Sequence, residues 1–115
     1  MTSSRSSKAG SPTGRVDLHE DTRAELQAAT AYYEAQRDGL GARFVTAVRA
    51  AFHLIAEHPG AGRRVEEPAI EVEVRRVLVQ GFRHTVYYVT VPRLTVIAVV
   101  HQRLPPYFWR DRLRR

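Results

Sequence analysis

The sequence predicts an α+β fold. A short N-terminal strand and an antiparallel helical hairpin pack on one face of a small antiparallel β-sheet, in the order β-α-α-β-β-β. Three observations carry this expectation. Two stretches with helical apolar spacing come first, divided by a glycine break. Three β-branched and aromatic runs follow, divided by turn residues. The 115 residues suit one domain around one core. Strands grouped as consecutive hairpins, with the helices segregated from them, favour α+β over an alternating α/β order.

Residues 1–14 (MTSSRSSKAGSPTG) are rich in Ser, Gly and basic residues and lack periodicity. They are expected to form a disordered basic tail, with a single domain over 15–115. Arg15 to Leu18 alternates and reads as a short first strand. Thr22 with Glu25 fits a capping box, with Asp21 as a competing cap. Leu26, Ala29 and Tyr33 form an i, i+3, i+7 stripe, and the helix should end near Arg37 or Asp38, before Gly39–Gly41. A second helix is expected from about Ala42 to Glu57. Phe44, Val48, Phe52 and Ile55 lie on one face, and Ala47 and Ala51 allow close approach. Pro59 stops it by disfavouring helix at His58. The short GLG link implies an antiparallel pair.

Gly60 to Pro68 reads as loop, and strand patterning follows. The alternation of Ile70, Val72 and Val74 shifts parity at Val77 and Val79. That shift signals a bulge or, as we prefer, a strand that begins near Val74 and ends near Val79. Arg83 to Val91 is a strong strand signal. Pro92–Arg93 supplies a turn. Leu94 to Val100 (LTVIAVV) is nearly all apolar, as expected of a strand covered on both faces, by the helices on one and another element on the other. Of the aromatics Tyr107, Phe108 and Trp109, which could also stack bases, Trp109 is the one expected to cap the core.

Charge divides the chain. The net charge is +6, and 17 of the 18 basic residues are Arg, the exception being Lys8. Met1 to Gly62 carries seven positive and seven negative side chains, whereas Arg63 to Arg115 carries eleven and five. An excess confined to one half suggests a polyanion or an acidic protein partner there. The absence of cysteine excludes disulfides and thiolate metal sites and favours a reducing compartment. No apolar run approaches a membrane span or a secretory signal, so the expected location is the cytoplasm, with no membrane partner.

The same composition limits the chemistry. Every serine lies in the N-terminal tail (Ser3, Ser4, Ser6, Ser7, Ser11), so no serine nucleophile sits in the fold. No phosphate loop is present, and the five histidines lack metal-ligand spacing, so no metal and no cofactor are expected. What remains is Arg, His and Tyr on adjacent strands: Arg75 and Arg76, Arg83 and His84, His101 and Arg103. A sheet that gathered them would hold the groups needed for metal-free RNA cleavage. Arg would stabilise the phosphorane charge, and His or Tyr would move protons. The ordinary alternative is a solvated arginine face with satisfied, partly buried histidines.

Several stretches in order resemble the ParE/RelE family of type II toxins, the plasmid stabilisation proteins. They are YYE at Tyr32–Glu34, GLGARF at Gly39–Phe44, EHPGAGRRV at Glu57–Val65, RRVLVQGFRHTVYYV at Arg75–Val89 and IAVVHQRLPPYFWRDR at Ile97–Arg112. The resemblance spans roughly Val16 to Arg112. It implies a β-α-α-β-β-β toxin encoded beside an antitoxin whose flexible, acidic or amphipathic tail wraps it. RelE-like members cut mRNA in the ribosome; ParE-like members poison DNA gyrase and lack the catalytic set. The sheet lysines or acid of RelE-like enzymes are missing here. Arg83 and Arg103 are retained in type, Tyr107 stands where a C-terminal tyrosine would, and His101 could replace a missing base. The YYE helix, the GLG link and the HQR–PP–aromatic ending look more like the ParE side, and we favour a ParE-like toxin binding a target such as gyrase. The first alternative is a ribosome-dependent endoribonuclease using Arg76, Arg83, His101, Arg103 and Tyr107. The second is a non-toxic basic nucleic-acid-binding module. The candidate contacts to antitoxin or target are Arg75, Arg76, Arg83, Arg103 and Arg110.

Overall fold

A computed structural model describes residues 16–66, 71–104 and 108–114. The elements are β1 (Asp17–Leu18), α1 (Glu20–Gln36), α2 (Leu40–Glu57), a 3-10 turn (Pro59–Ala61), β2 (Arg63–Arg64), β3 (Val74–Leu78), β4 (His84–Val89), β5 (Thr95–His101) and a C-terminal 3-10 helix (Phe108–Arg114). The expected α+β order is present: strand, two helices, then strands. The sheet order is β1-β5-β4-β3-β2. It is mixed rather than wholly antiparallel, because β1 runs parallel to β5 while the other three pairings are antiparallel. One extra strand appears inside the stretch expected to be loop. Arg63–Arg64 pairs with Arg75–Arg76 as the outer strand β2. The expected tail, 1–14, and Tyr107 lie outside the described residues.

The start of α1 differs from the capping-box expectation. The helix begins three residues earlier, and His19 caps it by accepting the Asp21 N–H at its Nδ1, 3.1 Å. That frees Thr22 and Glu25 to tie the helix to the sheet. The Thr22 hydroxyl donates to the Val96 carbonyl at 3.2 Å, and a Glu25 carboxylate oxygen accepts the Val99 N–H at 3.0 Å. A capping box uses local backbone; here the nearby strand offers the same groups a better-buried partner.

The helices meet across the GLG link. Gly39 takes φ 87°, a left-handed conformation that glycine adopts without a Cβ penalty. The Glu34 carboxylate then accepts the N–H groups of Gly39 (3.0 and 3.1 Å) and Gly41 (2.9 Å), so α1 supplies the N-terminal cap that α2 lacks locally. These bonds hold the Glu34 carboxyl below its ordinary pKa, Gly39 contributing most and Gly41 next. At Gly41 an added Cβ would sit 2.9 Å from the Thr30 carbonyl, so glycine permits the close helix contact.

The sheet has two covered faces. Toward the helices, Val86, Tyr88, Val96 and Val99 pack with Ala29, Tyr33, Phe44, Val48, Phe52 and Ile55. Away from them, Val74, Tyr87, Val89, Ile97, Ala98 and Val100 pack with Trp109 of the C-terminal helix. The all-apolar β5 and the core position of Trp109 follow the expectation. The parity change is resolved as preferred, with β3 starting at Val74. The bulge falls elsewhere. Tyr87 pairs with Ala98 and Tyr88 with Val96, leaving Ile97 as the extra residue. Val96 and Val99 therefore both face the helices although three residues apart.

Candidate functional site: the groove at the end of the helix–sheet layer

At the end of the molecule where β4 begins and β5 ends, a groove of about 750 Å³ opens between the helical hairpin and the β3–β4 turn. Its floor is aromatic. Tyr33 of α1 meets Phe82 at 4.8 Å and Phe44 of α2 at 5.0 Å between ring centroids. Both contacts are within the range in which aromatic pairs attract. Tyr32 stands beside it, half-exposed. The turn is set by Gly81 at φ 85° and by the Phe82 N–H donating to the Val79 carbonyl.

One hydrogen-bond relay runs through this floor. The Arg83 N–H reaches the Tyr33 hydroxyl at 3.4 Å, and that hydroxyl is 2.9 Å from His84 Nδ1. Hydroxyl and imidazole share this hydrogen bond, and the tautomer of the neutral ring sets which of them donates. His84 is buried, and burial together with the charge of His101 lowers its pKa to about 4. The His101 ring lies edge-on at 5.5 Å. Its Nδ1 accepts the Arg103 N–H at 3.1 Å, leaving Nε2 as the ring nitrogen free for a ligand.

Above the floor, Arg37 from the end of α1, Arg43 from α2 and Arg83 from the turn line the rim. No carboxylate lines the groove, and none of these three arginines has an acidic partner among the described residues. The arrangement is suited to an acidic segment with apolar side chains: cations at the rim, aromatic surface below. Among the described residues no group of His, Asp and Glu is placed to hold a metal ion, and no helix is long and apolar enough to cross a membrane.

The site residues expected from sequence are distributed over both faces of the sheet. Arg83 and His101 line the groove, and Arg103 adjoins it through its backbone. Arg76 is paired with Tyr87 and faces the other side, so the sheet lies between it and His101. Arg75 points toward the helix side, but its guanidinium is engaged. It donates to the Gly62 carbonyl at 2.7 Å and pairs with Glu73 at 2.7 Å. Arg110 is half-buried in the C-terminal helix. Sequence reading missed Tyr33, Arg37 and Arg43 as groove residues. For Tyr33 and Arg43 the signal lay in YYE and GLGARF, whose ordinary explanation as helix core and helix break hid their second use.

A comparison with curated proteins gives no match. The family model described as ParE toxin of type II toxin-antitoxin system, parDE, matches residues 16–104, which run from β1 through the turn after β5. On that match the chain belongs to the ParE toxin family of type II toxin–antitoxin systems.

Proposed function

We propose that this toxin inhibits growth by gripping an essential protein target, such as DNA gyrase, without cutting RNA. A cognate antitoxin with an acidic or amphipathic tail would neutralise it. The observation that supports this reading is the groove itself. Three arginines without acidic partners rim an aromatic floor, while its buried imidazole, His84, stays neutral and tied to Tyr33. Cleavage would need an acid and a base on either side of one phosphate, with Arg beside both. Arg76 stands on the other face from His101, which weakens the ribonuclease alternative.

Induction of the chain in growing bacteria tests the proposal. Filamentation, trapped gyrase–DNA complexes and intact transcripts are the expected result. Rapid translation arrest with cleaved mRNA would replace it with the endoribonuclease reading. Co-expression with the neighbouring small reading frame should restore growth, and deletion of that product's acidic tail should abolish the rescue.

A further inference from the structure

Strand β5 is seven residues long, but its outer neighbour β1 covers only Thr95 and Val96. The His19 N–H still reaches the Val96 carbonyl at 2.9 Å, and the chain then turns into α1. From Ile97 onward no strand flanks β5 on this side among the described residues. An edge with unpaired N–H and carbonyl groups is a template for another chain.

Two side chains fill the place of the missing strand. Glu25 of α1 accepts the Val99 N–H at 3.0 Å, and Arg112 of the C-terminal 3-10 helix donates to the Ile97 carbonyl at 2.8 Å. The two join each other at 2.7 Å, and Asp21 backs the guanidinium at 3.4 Å. One residue of a parallel strand, set opposite Ala98, would make the same two bonds: its N–H to the Ile97 carbonyl, its carbonyl from the Val99 N–H. The ion pair stands in for that residue. Arg112 reaches the edge from a helix that Trp109 holds on the far face of the sheet.

At the other end of the sheet, β2 is also an edge. The Val65 N–H donates inward to the Val74 carbonyl at 2.8 Å, so the alternation of an antiparallel ladder turns the Arg64 N–H and carbonyl outward. The Arg64 side chain is 62% exposed and stands 3.5 Å from Glu73, which holds Arg75 more closely, at 2.7 Å.

We propose that the Glu25–Arg112 pair is a removable plug, and that the edge it covers docks strand β2 of a second copy of this chain once Arg112 leaves. Arg64 of the second copy brings an N–H for the Ile97 carbonyl and a carbonyl for the Val99 N–H. Its guanidinium replaces the cation that Glu25 has lost. Charge complementarity favours this pairing over β2 against β2, which would set Arg63 and Arg64 of both copies against each other. Two different edges meeting make a head-to-tail contact, so assembly can grow past a dimer. The groove plays no part in this contact, which is independent of the gyrase reading.

Sedimentation velocity of the full chain over a range of concentrations tests the proposal, with circular dichroism to confirm the fold. The native chain should sediment as a monomer and R112A as oligomers that grow with concentration. R112Q, which keeps part of the packed stem, takes its place if R112A does not fold. Adding R64E to the Arg112 variant should weaken association about tenfold; Glu73 keeps Arg75, so the fold is retained. E34Q loosens the fold at the α1–α2 link, away from both edges, and should stay monomeric. The plug is overturned if the folded Arg112 variant associates no more than the native chain, or if E34Q associates as strongly as that variant. The β2 assignment is overturned if R64E leaves the association unchanged.

Discussion

His84 shows how a titratable residue can be shielded from solvent protons at a toxin's surface groove. It sits at the start of β4 with its Nδ1 hydrogen-bonded to the Tyr33 hydroxyl, Phe44 and His101 against its ring, and a pKa lowered to about 4 by burial and by His101. The unfolded chain takes up this proton near pH 6.5, whereas the folded chain resists it. The stability His84 confers is therefore complete above pH 6.5 and is lost as pH falls from there to about 4. Allowing for solvent screening, the loss is about 2 kcal/mol. Urea denaturation of native and H84Q protein across this range should show the slope in the native protein alone, and parallel curves would contradict it. Glu34 has the same sign by a different route. Its carboxyl is held low by the Gly39 and Gly41 N–H groups, so its contribution is present above its ordinary pKa and fades as the folded carboxyl protonates. E34Q should lower the melting temperature at pH 7, with the difference from the native protein shrinking below pH 4.

Two elements depend on contacts that helix or strand propensity does not foretell. The C-terminal 3-10 helix is locked by Arg112. It donates to the Ile97 carbonyl at 2.8 Å and to Glu25 at 2.7 Å, and its Nε lies 3.4 Å from Asp21. The carbonyl belongs to the bulged residue of β5, so the bulge and the helix share one anchor. R112A should cost about 2 kcal/mol, since it strips a charged donor from half-buried acceptors. It should also red-shift the emission of Trp109, the sole tryptophan, as its helix loosens from Tyr87. Strand β2 depends on the loop before it. The Tyr88 hydroxyl donates to the Pro59 carbonyl at 2.7 Å and accepts the Gly62 N–H at 2.9 Å. A Cβ on Gly62 would stand 2.5 Å from that hydroxyl and 2.9 Å from the Arg76 carbonyl. G62A should therefore destabilise by about 1–3 kcal/mol. Adding Y88F should recover only part of this in a double-mutant cycle, because the Arg76 carbonyl still blocks the methyl group.

At the scale of the whole molecule, the basic half is divided by the sheet into separate surfaces. Arg83 faces the groove with Arg37 and Arg43, which come from the electrically balanced half, while Arg63 and Arg76 face the other side. Charge read along the chain therefore locates neither surface by itself. Reversing the groove charge with R83E should slow antitoxin association about tenfold and reduce its dependence on salt, with a smaller effect on dissociation. Stopped-flow binding at two ionic strengths checks this. Equal association rates for R83E and the native chain would remove the groove from the encounter surface.

The sequence by itself determined the fold class, both helices and the three long strands. Those features rest on apolar periodicity, on Gly39 and Pro59, and on β-branched runs, all of which act within a few residues. It also marked Trp109 for the core. Tertiary structure alone decided the rest. After Thr95 the run VIAVV has no polar residue to reveal parity, so the bulge at Ile97 became visible only through its partners Tyr87 and Tyr88. Thr22 and Glu25 carry a capping pattern, yet the approach of β5 redirected them to Val96 and Val99. The arginines looked like one cluster along the chain. A strand alternates its side chains between two faces, and the paired register placed Arg76 on one side of the sheet and His101 on the other.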